Sequence, residues 1–215
     1  MPLKASFSSL TAKAAAIGVG MALATAGQAQ AQQRNRVSIA VTETIASVNP
    51  YADSVALMYA VYSQTYGALV DWSFEKNGYV SRFAESWSNP DSLTWRFKLK
   101  KGLKRNNGEP VVPADFVHSI NRAKNDPQSK QKHNVRWITT VETPDEETLI
   151  IKTSEPVAPM LENLSRIIVT SKAQYDKLGA GADKEAPFGA GPYAIKQIAV
   201  DNFFAMTKVA GHPDM

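Results

Sequence analysis

The chain has 215 residues, a formal net charge of +4, 44% hydrophobic and 20% charged residues. This composition suits one or two globular domains with a sizeable core and excludes a chain too polar to fold. It contains no cysteine, so there is no disulfide framework and no lipid anchor through Cys, and the fold must rest on its core.

Residues 1–31 read as a segment apart. Lys4 and Lys13 give a positive start, Ala14 to Ala26 form a short apolar run, and Ala29-Gln30-Ala31 offers small residues where a signal peptidase cuts. The expectation is a secretory signal peptide cleaved after Ala31. The apolar run is short of the roughly 20 residues a spanning helix needs. Removing Lys4 and Lys13 leaves 22 basic against 20 acidic residues. That balance is too even to argue for nucleic acid.

Val37, Ile39 and Val41 alternate with small or polar residues and predict a first strand. Asn49-Pro50-Tyr51 is a turn signal inside an irregular stretch. From Ser54, Leu57, Met58, Val61 and Thr65 recur at helical spacing, with Gly67 near the end. Leu69-Val70 begins a new segment, Asn77-Gly78 predicts a turn, and Asn89-Pro90-Asp91 another.

The best-ordered unit follows. Leu93, Trp95, Phe97 and Leu99 alternate with Thr94, Arg96, Lys98 and Lys100, the period of a strand with one buried face. Lys101-Gly102 ends it and Asn107-Gly108 predicts a turn. Pro113 and Asp115 then predict a helix start, continued by Phe116, Val117, Ile120 and Ala123. Asn125 to Asn134 is polar and reads as an exposed loop. Trp137 to Val141 and Thr148 to Thr153 predict a hairpin, and Met160 to Leu164 a short helix. Ser171 is placed to cap a helix over Lys172 to Leu178, stopped by Gly179. Gly189-Ala190-Gly191 leads into a strand to about Ile198, paired with a second over Phe203 to Val209.

Little in the chain points to catalysis. His118, His133 and His212 are scattered, without metal-ligand spacing, so no metal or cofactor is expected. There is no nucleophile elbow and no arguable triad, so no catalytic residue is named. Glu146, Glu147, Asp183 and Glu185 read as solvated turn carboxylates. Gly189-Ala190-Gly191 lacks the phosphate-loop spacing and reads as a tight turn. Lys98, Lys100, Lys101, Lys104 and Arg105 read as a solvated basic face. Tyr51, Tyr59, Tyr62 and Tyr66 beside an irregular loop suit either a ligand cleft or a lid over the core.

In series, these blocks resemble the family 5 extracellular solute-binding proteins of ABC importers, the oligopeptide- and dipeptide-binding group. Phe83-Ala84-Glu85-Ser86-Trp87 resembles that family's LAESW. Leu93 to Gly102 is similar to its tytFkLRkGv, and Asn107 to Pro110 to its dGtP. Ala114 to Ile120 is similar to AeDVvfSl, Pro187 to Tyr193 to PiGTGPY, His212-Pro213-Asp214 to the start of NPDYW, and Asn49 to Ala52 to ldPyaa. Arg105 departs by standing where the family often has an aromatic residue, and Pro113 replaces a small residue.

The resemblance implies an α/β periplasmic-binding-protein fold, type II, of the large peptide-binding class. It implies the first lobe only, with an accessory α+β subdomain at residues 67–170 between pieces of the main domain at 35–66 and 171–215. The second lobe is expected to be absent from this chain. The implied function is the periplasmic substrate-binding component of an ABC transporter importing di- and oligopeptides, monomeric, not an enzyme, and delivering to an inner-membrane permease complex. The alternatives are a receptor for a nickel complex, haem, opine or sugar, or a non-functional truncated product. A hydrolase lacks a visible nucleophile or metal site. The resemblance places Ser54, Val55 and Ala56 at the ligand, and Asn49 and Tyr51 on the same segment are expected to bind it with them.

Overall fold

A computed structural model describes residues 38–39, 49–52, 56–183, 188–199 and 202–212. The chain divides into Met1–Thr42 and Glu43–Met215, and the architecture below is that of the second unit. The leader, and the expected first strand apart from Ser38 and Ile39, lie outside the described residues.

Among the described residues helix α1, Ala56–Thr65, comes first. Strands β1, Val70–Ser73, and β2, Gly78–Ser81, form an antiparallel hairpin. Asn77 takes φ 46° in its turn, a left-handed conformation that asparagine tolerates. Next come β3, Ala84–Asp91, and β4, Thr94–Leu99. Helix α2 covers Pro113–Asn125 and α3 Lys132–Val135. Strands β5, Ile138–Glu142, and β6, Thr148–Thr153, pair as expected. Helices α4, Met160–Ser165, and α5, Lys172–Leu178, are followed by a 3-10 turn, Gly179–Asp183. Strands β7, Tyr193–Ala199, and β8, Phe203–Lys208, form a final antiparallel pair.

The principal sheet is antiparallel in the order β3-β4-β6-β5. Its two faces follow from alternation. Phe97 and Leu99 on β4, and Leu149 and Ile151 on β6, are buried, while Arg96 and Lys98 are exposed. Phe97 lies opposite Leu149 and Trp95 opposite Ile151, so cross-strand partners share a face. Phe116, Ile120 and Ala123, at i, i+4 and i+7 of α2, join the same core cluster. Each fully buried large side chain contributes about 1.5–3 kcal/mol. A smaller cluster of Met58, Tyr62, Tyr66 and Ile168, with Tyr59 and Phe204 against it, joins α1 to later parts of the chain.

Three expectations change. Asn89-Pro90-Asp91 is not the turn but the end of β3, and the chain reverses just beyond it. Pro90 is tolerated because β3 is an edge strand, where a missing N–H removes no needed ladder bond. The Asn89 side-chain amide donates to the Asp91 and Thr94 carbonyls at 2.6 and 2.7 Å, and the Leu93 N–H donates to Asp91 Oδ1 at 2.8 Å. Second, the polar stretch 125–134 is only partly exposed. Ser129 and Asn134 are buried, the Ser129 hydroxyl donates to the Ala123 carbonyl at 2.7 Å, and α3 begins within it. Third, Gly189 and Gly191 serve close packing. A Cβ on Gly189 would lie 1.9 Å from the Thr65 carbonyl oxygen, and one on Gly191 2.2 Å from that of Gln64. Glycine lets this backbone reach the end of α1, where the Ala190 and Gly191 N–H groups donate to the Tyr66 and Thr65 carbonyls at 3.0 and 2.9 Å. Carbonyls at a helix end otherwise lack an intrahelical donor.

Candidate functional site

The segment expected at the ligand begins with Asn49 and Pro50. The Asn49 side chain accepts the Tyr51 N–H at 2.9 Å, and its carbonyl accepts the Ala52 N–H at 3.2 Å, which closes the turn that Asn-Pro predicts. Asn49 and Tyr51 are thus brought together, and both are buried. The Tyr51 hydroxyl donates to the Ile168 carbonyl at 2.8 Å and lies 3.0 Å from Thr170 Oγ1. Its carbonyl accepts the Lys130 N–H at 2.8 Å. Ala56 opens α1, while Ser54 and Val55 lie outside the described residues.

A column of side chains stands behind the turn. The Arg122 guanidinium lies 4.9 Å from the Tyr51 ring centroid and 4.4 Å from that of Tyr175 on α5. Arg122 also pairs with Asp126 at 3.1 Å, one helical turn on. The His118 ring, one helical turn before Arg122, is 5.0 Å from the Tyr175 ring. Burial, and secondarily the charge of Arg122, holds the His118 imidazole down to about 4. Pro50, Tyr66, Arg122, Thr170, Gln174 and Tyr175 line a cavity of about 20 Å³, room for roughly one water. Gln174 Nε2 is buried there without a hydrogen-bond partner. A second cavity, lined by Phe116, Ile120, Leu149 and Leu164 among others, is apolar and about 10 Å³. Neither admits a peptide.

The tyrosines resolve as core. Tyr51, Tyr62 and Tyr66 are buried, and the Tyr59 hydroxyl donates to the Ser165 carbonyl at 2.6 Å. Burial, reinforced by the charge of Asp71, pushes the Tyr59 phenol up to about 12. The glycine loop at 189–191 binds helix α1 rather than an anion. Most of the basic run is solvated, with Lys98 paired to Glu85 at 3.0 Å and Lys101 to Glu147 at 2.8 Å. Arg105 is the exception and the residue that sequence reasoning missed. It is buried and pairs with Asp115 at 3.0 Å. Asp115 also accepts the Val112 N–H and the Lys172 N–H, both at 2.8 Å, while Arg105 Nη1 donates to the Pro110 carbonyl at 3.1 Å. One carboxylate therefore joins the starts of α2 and α5 to the preceding loop. The available signal was Arg105 itself, a charge where the resembled family often has an aromatic.

Among the described residues no group of three or more His, Cys, Asp or Glu could hold a metal, and no helix is long and apolar enough to cross a membrane. What the described site offers is shape, backbone groups and aromatic packing.

Residues 78–211 match the family described as bacterial extracellular solute-binding proteins, family 5 middle. The chain belongs to this family. Among its family 5 relatives, a Brucella ovis protein named as an ABC transporter peptide-binding protein is 29% identical over 147 residues, 65% of this chain and 28% of that protein. The glutathione-binding protein GsiB of Pectobacterium atrosepticum is 26% identical over 81% of this chain and 34% of its own. The solved structure of MoaA from A. tumefaciens R10 with mannopinic acid shares 27% identity and a TM-score of 0.71, covering 80% of this chain and 36% of that one. Burkholderia pseudomallei OppA, 21% identical, matches the fold with a TM-score of 0.73 over 81% of this chain and 38% of that one. The expected periplasmic-binding-protein fold is therefore the fold observed. The family 5 chain spans roughly a third of the length of these relatives.

Proposed function

We propose that this chain forms the first-lobe part of the substrate-binding component of an ABC importer, exported to the periplasm and presenting di- or oligopeptides to an inner-membrane permease. The observation that carries this is the family match over 78–211, joined to relatives named for peptide and glutathione binding. In this reading it is a monomeric receptor without catalysis. Residues 67–170 form the accessory subdomain, and 35–66 with 171–215 belong to the main domain. Ser54, Val55 and Ala56 meet the ligand, and the turn of Asn49 and Tyr51 holds that segment from behind. Ligand binding shifts an open–closed equilibrium by its differential affinity for the closed form, and the closed form docks on the permease.

The described cavities hold no more than a water, so residues 32–215 alone are expected to bind peptide weakly. A pool of di- to pentapeptides carrying a photoreactive group is the direct test. Crosslinks on residues 32–215 should map to 54–56 and be competed by unlabelled peptide. Absence of competable crosslinks there would sink the assignment of the ligand segment. A second reading, a receptor for a sugar-derived opine, is favoured by one observation, the likeness to the mannopinic acid complex at 27% identity. Competition by mannopinic acid, and none by peptides, would select it.

A further inference from the structure

The column His118–Tyr175–Arg122–Tyr51 ties three separate stretches together: α2, which carries His118 and Arg122, α5, which carries Tyr175, and the turn at 49–52. His118 is the one member whose charge can change in mildly acid water. Its Nε2 is buried and has no hydrogen-bond partner. The charged groups facing it are Asp115 and Arg122 from its own helix, and Lys172 and Asp176 from α5. Both carboxylates are already engaged. Asp115 accepts from Arg105, Val112 and Lys172, and Asp176 pairs with the Lys172 ammonium. The ring of Tyr175 already carries the Arg122 guanidinium on its π-system. A proton added to His118 would create, at a ring nitrogen buried from solvent, a donor with no acceptor in the structure, and would bring a second cation to one aromatic ring.

From this geometry we infer that α5 is an acid-released latch: protonation of His118 undocks α5 from α2 and loosens the grip of Arg122 on the Tyr51 turn. The relief is local. The sheet β3-β4-β6-β5 contributes no group to the column and keeps its packing when α5 leaves. The cause supports the direction, since burial already resists the charged imidazole and lowers its proton affinity toward about 4. In a compartment that follows the external medium, such a latch would weaken the hold on the 49–52 segment when the surroundings turn acid. This inference does not depend on which ligand the protein takes.

Hydrogen exchange of the full chain, corrected for the intrinsic pH dependence of exchange, tests it. Amides of Lys172 to Leu178 are expected to lose protection by about tenfold or more between neutral pH and pH 4.5, while amides of β4 and β6 hold theirs. His118→Phe, which keeps an aromatic ring against Tyr175 but cannot take a proton, is expected to abolish that loss. Unchanged α5 protection in the wild type, or an equal loss in the variant, would overturn the proposal. Should the variant fail to fold, NMR titration of the wild-type imidazole decides. Protonation well below the ordinary 6.5, coincident with α5 release, upholds the latch. Protonation at or above 6.5, or without release, overturns it.

Discussion

Asp115→Ala is the perturbation expected to cost the most for a single carboxylate. The side chains of Asp115 and Arg105 are 3% and 2% exposed, so neither charge can turn to water in the folded lobe. Removing the carboxylate leaves the guanidinium with the Pro110 carbonyl alone among the hydrogen bonds described above. Breaking one side of a buried pair costs about 3–5 kcal/mol, mostly for the uncompensated charge. The Val112 and Lys172 N–H groups lose their acceptor as well, each a loss of about 1–3 kcal/mol if no water replaces it. These terms overlap, because the space vacated by the carboxylate admits water, so the expected total is about 4–5 kcal/mol. For a chain of this size that is a fall in Tm of roughly 8–20 °C. Urea unfolding followed by tryptophan fluorescence and far-ultraviolet circular dichroism measures it. The paired replacement Arg105→Met with Asp115→Leu should recover most of the loss, because two apolar groups leave no charge behind. A loss below about 1 kcal/mol, or a double variant no better than the single one, would refute the account of a desolvated, mutually dependent pair.

Further outcomes follow from single contacts. Gly191→Ala would place a methyl 2.2 Å from the Gln64 carbonyl oxygen, and thermal unfolding should show about 2–3 kcal/mol of destabilisation with lost protection at the end of α1. Tyr51→Phe removes the hydroxyl shared with Ile168 and Thr170 and should cost about 1–2 kcal/mol in chemical denaturation without changing secondary structure. Phe97→Ala, at the centre of the sheet face, should cost about 3–5 kcal/mol. The folded-state value of Tyr59 is raised above its ordinary 10, so its contribution is full below 10 and lost as pH rises through about 12. Stability of the wild type should therefore fall more steeply than that of Tyr59→Phe across this window, and a matching slope would count against the buried phenol.

Much of the fold is legible in the sequence where the signal is local. The strand at 94–99, the Pro113 helix start and the Ser171 cap depend on neighbours within a turn or two. The helix start and the cap are found where residue type puts them, with Ser171 Oγ accepting the Gln174 N–H at 3.1 Å, and the strand is found from Thr94, its first predicted member Leu93 being exposed in the turn instead. Features set by distant backbone are not legible. Gly189 and Gly191 read as a turn because the need to lack a Cβ appears only when the end of α1 lies against them. Arg105 reads as one more surface cation because Asp115 reaches it only after the loop folds back. At the candidate site, Asn49-Pro50 announces its turn. Whether Tyr51 faces core or cleft is fixed by Arg122, Ile168 and Thr170, and no local pattern of the segment 49–52 encodes that.

The glycine contact with α1 also sets an order of assembly. The pairs β3–β4, β4–β6 and β5–β6 close over short or moderate separations, so the sheet can form while the chain is still emerging. The last carbonyls of α1 receive their donors from Ala190 and Gly191, more than a hundred positions later. Until that stretch has been made, helix α1 has no finished end, and the Met58, Tyr62, Tyr66 and Ile168 cluster lacks Phe204 against it. The first of the described helices is thus among the last to be secured. In the interval its aromatic face lacks part of its cover, the kind of transiently exposed apolar surface that chaperones bind.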